Sequence, residues 1–93
     1  MTIDNLIPTF RRGYRLQWEP AQNSHVVLYP EGMAKLNESA AVILELVTGK
    51  QNVASIISTL NLRFPEAGGV DDDVKAFLHS AVEQKWILYR DPE

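Results

Sequence analysis

Leu28–Leu46, LYPEGMAKLNESAAVILEL, decides the fold of this chain. Pro30-Glu31-Gly32 reads as a tight turn, and Met33–Leu36 behind it is long enough for one short strand. Asn37-Glu38-Ser39 then opens a helix that is apolar almost all round. A four-residue strand needs a neighbour on one side, and its other side is left as an unpaired edge. Such an edge is a surface to which an extended peptide adds as a further strand. The function is expected there.

Upstream, Tyr14, Leu16 and Trp18 alternate with Arg15 and Gln17, the period of two of a half-buried strand. Glu19 to His25 reads as a seven-residue connector, and Val26–Tyr29 as the second strand of a hairpin. Residues 1–9 carry Ile3, Leu6 and Ile7, but Pro8 argues against a regular element, so they are assigned to a flexible arm. That arm either frays, folds over the domain or docks on a partner. Residues 10–93 are assigned to one domain.

Downstream, the first helix is placed at Glu38–Val47, capped by Asn37, with Ala40, Ile43, Leu44 and Val47 as its core stripe and Gly49 as its terminator. The second is placed at Val53–Phe64, with Asn52 as its cap and Pro65 as its stop. The third is placed at Asp72–Lys85, its apolar stripe being Val74, Phe77, Leu78, Ala81 and Val82. Trp86–Tyr89 reads as a short strand or an extended tail. The fold class is therefore α+β and winged-helix-like: a small three-stranded antiparallel sheet, three helices, and a short C-terminal strand or tail.

Composition excludes more than it assigns. Ninety-three residues, 45% apolar and 23% charged, suit one ordinary globular domain, and a net charge of −3 steers the chain toward neither nucleic acid nor an anionic membrane. With no cysteine there are no disulfides, thiolate nucleophiles or thiolate-held clusters, which fits a reducing cytoplasm. The longest strictly apolar run, Ala40–Leu44, is far short of a membrane span, and the N-terminus has no secretory pattern.

No catalytic apparatus is visible. His25 and His79 stand far apart and in no zinc-binding spacing. Asp71-Asp72-Asp73 lacks the alternation and distant glutamate of a calcium loop and is better read as capping the third helix. Gly68-Gly69 lacks the companions of a phosphate cradle. Arg11, Arg12 and Arg15 are the only basic cluster, and the second helix carries only Arg63. A winged-helix DNA-binding regulator, the alternative reading, would carry cations on its groove-entering helix. Neither a metal nor a cofactor is expected, and the oligomeric state stays open.

Taken together, the chain closely resembles the PqqD family of pyrroloquinoline quinone (PQQ) biosynthesis. The resemblance spans about residues 8 to 89 and rests on Arg12-Gly13, Arg15-Leu16-Gln17-Trp18-Glu19, Leu28-Tyr29-Pro30-Glu31-Gly32, Lys35-Leu36-Asn37-Glu38-Ser39-Ala40-Ala41, and Ile43-Leu44 with Gly49. It implies a peptide chaperone rather than an enzyme. Such a protein binds the precursor peptide PqqA and presents it to the radical SAM enzyme PqqE, which joins a glutamate to a tyrosine. It further implies a leader peptide lying beside the third strand, in a groove against the third helix. On that basis Met33, Ala34, Lys35 and Leu36 are expected to offer backbone groups to the peptide. Phe77, Leu78 and Ala81, with Val74 near one end, are expected to wall the groove. Whether the flank with Lys75, His79 and Val82 or that with Asp73, Ser80 and Gln84 faces the peptide is open.

Overall fold

The computed structural model describes residues 3–92. Its elements in chain order are β1 (Ile7–Phe10), β2 (Arg15–Glu19), β3 (Ser24–Tyr29), β4 (Gly32–Lys35), α1 (Glu38–Glu45), α2 (Val53–Arg63), α3 (Asp71–Glu83) and β5 (Ile87–Arg90). β2, β3 and β4 form the expected three-stranded antiparallel meander, and β1 pairs with β5 in a separate two-stranded ribbon. The α+β arrangement of sheet, three helices and closing strand is the one expected.

The meander follows from period-two patterning. Leu16, Val27 and Ala34 share one row across the sheet and Tyr14 stacks on Tyr29 at 5.8 Å, so one face is apolar and turns to the helices. The β2–β3 connector is shorter than expected: pairing continues to Glu19↔Ser24, leaving only residues 20–23 as the loop. Asn23 makes this possible by adopting φ 50°, a left-handed conformation that asparagine tolerates better than most residues.

Residues 7–9, assigned on sequence to the arm, are instead in β1. Pro8 does not prevent this, for a geometric reason. Arg11 N–H donates to the Trp86 carbonyl at 3.0 Å, which makes residues 11 and 86 a hydrogen-bonded pair in the same register as Ile7↔Arg90. Antiparallel ladders alternate, so Pro8 falls at a non-bonded position opposite Tyr89, where a missing N–H is not felt. The segment before β1 is also tied down. Val53 N–H donates to the Leu6 carbonyl and Ala54 N–H to the Asp4 carbonyl, each at 3.0 Å, so two open donors of α2 are met by the N-terminal segment. Met1 and Thr2 lie outside the described residues.

The helix boundaries shift for equally local reasons. α1 ends at Glu45 rather than Val47 because Leu46 and Val47 close tighter turns, donating to the Ile43 and Leu44 carbonyls. Gly49 carries φ +80°, and a Cβ there would sit 3.0 Å from Thr9 Oγ1, so the α1–α2 link presses on β1 where only glycine fits without strain. α2 ends at Arg63, with Phe64 as its C-cap, and α3 spans Asp71–Glu83 rather than reaching Lys85. The capping role expected of Asp71-Asp72-Asp73 is corrected: the N-cap is Val70 and no side chain caps the helix. The aspartates occupy the first turn, where they favour the helix dipole. Asn61 does the fastening, accepting from Val70 N–H at 3.0 Å and donating to Asp71 Oδ1 at 3.3 Å.

The core gathers Val27, Leu44, Val53, Ile56, Val74, Leu78 and Ile87, all but sealed from solvent. Across its flank Lys75 Nζ meets Asp4 Oδ1 at 2.9 Å. The bond to Asp4 holds the Lys75 ammonium above the ordinary lysine value. A raised lysine pKa contributes fully at neutral pH and is lost only as pH climbs past the ordinary lysine range. Lys75→Ala is therefore expected to loosen residues 4–6 at neutral pH with little change in Tm. Amide exchange at Val53 and Ala54 is the measurement, and it should quicken in the variant.

Candidate functional site

Among the described residues no strand pairs with the outer margin of β4, and hydrogen-bond parity fixes which of its residues face that way. Leu36 N–H donates to the His25 carbonyl at 3.0 Å, one step beyond the Val27↔Ala34 and Val26↔Lys35 register. Bonded and non-bonded pairs alternate along an antiparallel ladder, so Leu36, Ala34 and Gly32 spend their backbone groups on β3. Met33 and Lys35 turn theirs outward. Of the four residues expected to serve the edge, only these two have groups free to receive a strand, two N–H and two C=O in all. Exposure agrees: Met33 is 45% exposed and Lys35 exposed, whereas Leu36 is buried at 7%.

The four residues expected on α3 divide in the same way. Val74, Leu78 and Ala81 are at most 1% exposed and belong to the core. Phe77 is half-buried and is the one with surface to offer. On the flanks, Val82 and Lys75 are half-buried, while Asp73, His79, Ser80 and Gln84 are exposed. The sheet's other margin, on β2, carries Trp18 next to its end, half exposed and edge-on to His25 at 5.2 Å.

Asn37 turns the chain from β4 into α1. Its side chain accepts from Ala40 N–H at 2.8 Å, the cap expected from sequence, and Asn52 does the same for α2 through Ser55 N–H at 2.8 Å. Just past that turn, sequence reasoning missed a feature. An open cleft of about 350 Å³ lies where the first turns of α1 and α3 meet the end of α2. Val42, Phe64 and Val70 form its apolar sides, and Glu38, Glu66 and Asp73 stand around it. Phe77 lies one turn along α3 from Asp73 and Val74. The only sequence signal was Phe64, an aromatic at a helix end immediately before a proline.

Other candidate chemistry is dispersed. His25 lies against Trp18, and His79 faces Glu83 at 3.6 Å on the α3 surface. Among the described residues no three acidic or histidine side chains gather in a metal-holding group, and no helix is long and apolar enough to cross a membrane. The first turn of α3 carries three carboxylates and α2 a single arginine, a distribution that repels a phosphate backbone.

Comparison with known proteins agrees with this fold. Residues 24–87 match the family described as Coenzyme PQQ synthesis protein D (PqqD). A protein of Kluyvera intermedia named PqqA binding protein is 74% identical over 97% of this chain and 98% of its own length. One of the same name from Stutzerimonas stutzeri is 58% identical over 90% and 91%. Among solved structures, the solution structure of the PqqD truncation of Methylobacterium extorquens PqqCD superimposes with a TM-score of 0.72 at 26% identity, covering 94% of this chain and 93% of that one. It is described as a functional, stand-alone recognition element for ribosomally synthesized and post-translationally modified peptides.

The division between edge and core has a measurable consequence. Leu78→Ala is expected to lose about 2–5 kcal/mol of stability, and Asn37→Ala about 0.5–2 kcal/mol through the lost cap. Met33→Ala should stay within about 0.5 kcal/mol of the parent. Urea denaturation of the three variants reads this ranking directly.

Proposed function

Because this chain belongs to the PqqD family, we propose that it is a non-enzymatic peptide chaperone of PQQ biosynthesis. It binds the precursor peptide PqqA as an added strand on β4 and presents it to the radical SAM enzyme PqqE for glutamate–tyrosine cross-linking, in the cytoplasm. The observation that carries this reading is the parity of β4: Met33 and Lys35 direct two N–H and two C=O groups away from β3. The names of the relatives support PqqA as the guest. The absence of cysteine supports leaving cluster-dependent chemistry to a partner.

Four backbone bonds contribute about 2–6 kcal/mol before ordering and association costs are subtracted. Side-chain anchoring must supply the rest, and Met33 and Phe77 are the exposed or half-exposed apolar groups nearest to hand in sequence and element. An affinity in the micromolar range suits a carrier that must release its cargo.

Proline at Lys35 is the sharpest test. It removes an outward N–H while sparing the bonds of Ala34 and Leu36 to β3, a position where an edge strand tolerates proline. Lys35→Pro should fold and bind PqqA about tenfold or more weakly, whereas Lys35→Ala should bind within about twofold of the parent. Calorimetric titration of PqqA into both variants measures this. Parental affinity in folded Lys35→Pro overturns strand addition at β4.

A further inference from the structure

We infer that the cleft at the junction of α1, α2 and α3 is a side-chain pocket for the same guest peptide, taking one bulky apolar residue with a lysine or arginine beside it. This rests on the strand-addition reading and extends it beyond the strand itself. Three observations carry it.

The first is shape. The cleft of about 350 Å³ is walled by Val42, Phe64 and Val70. An apolar cavity of about 150 Å³ already accepts a benzene ring. Phe64 keeps 38% of its surface exposed, apolar area that folding alone leaves uncovered. The wall is fastened before any ligand arrives, since Asn61 holds both Val70 N–H and Asp71. A pre-formed pocket lowers the ordering cost of binding.

The second is charge. Glu38, Glu66 and Asp73 all line the cleft, and among the described residues no lysine, arginine or histidine does. An acidic residue of the guest would be repelled, a basic one held. The third is continuity. Glu38 follows Lys35 by three residues. At a strand rise of about 3.3 Å per residue, a peptide running off the Lys35 end of β4 needs only about three or four residues to reach the cleft.

The test separates the pocket from the strand. Val42→Trp fills the cleft from its α1 side. It should weaken PqqA binding about 10- to 100-fold, while the amide resonances of Met33 and Lys35 still shift at saturating peptide. Glu66→Lys combined with Asp73→Asn should weaken binding about two- to fivefold in low salt and flatten its salt dependence. In the unaltered protein, nuclear Overhauser contacts should join the Val42 and Val70 methyls to an apolar side chain of PqqA, which covers the case of a misfolded Val42→Trp. If those contacts are absent, or if folded Val42→Trp binds like the parent while Lys35→Pro does not, the pocket is overturned and strand addition stands. If binding ignores Lys35→Pro as well, it is the strand-addition reading that fails.

Discussion

A residue in a β-strand offers its backbone N–H and C=O to one neighbour only. That constraint organises this small protein. By pairing through Ala34 and Leu36, β4 commits alternate residues to β3 and leaves Met33 and Lys35 looking the other way. The same two residues put their side chains on the sheet face opposite Ala34, which is why Met33 is exposed and Leu36 is not. Receptivity and stability are thus divided between adjacent residues rather than competing for the same atoms. A one-residue slip of the β3–β4 register would exchange the two roles and expose what is now core.

The same economy appears in the helices. α3 is anchored to the core by Val74, Leu78 and Ala81. Its outward residues, the exposed Asp73 and the half-buried Phe77 among them, are thereby held in place relative to the core. Asn61 extends that rigidity across the loop between α2 and α3, a segment whose paired glycines would otherwise favour mobility. The asparagine caps at residues 37 and 52 serve a similar end, fixing where α1 and α2 begin.

Much of this was legible in the sequence because it follows from local chemistry. Period-two alternation around Leu16 and the caps at Asn37 and Asn52 need no tertiary information, and the α+β order follows from them. What escaped depended on partners distant in the chain. Pro8 sits in a strand because Tyr89, some eighty positions away, meets it at a non-bonded register. No side chain caps α3, and the start of that helix is held instead by Asn61 on another helix, which bonds Val70 N–H and Asp71 Oδ1. The amphipathic stripe of α3 revealed which residues are apolar but not which of them are sealed, so Val74, Leu78 and Ala81 were grouped with Phe77. The cleft escaped altogether, because it is assembled from the ends of three helices and no single window of sequence contains it.

The ribbon of β1 and β5 has one more implication. Because Ile7 lies directly across from Arg90, the first and last strands run about one interstrand spacing apart, while the residues just before β1 stay bonded to α2 through the Asp4 and Leu6 carbonyls. A module whose first and last strands are partners can be spliced into a loop of another protein as a cassette at modest cost in loop entropy, so long as the splice leaves residues 4–6 against α2. Recognition could in this way be grafted beside a catalyst without disturbing either one, provided that the graft leaves the margin of β4 in the open.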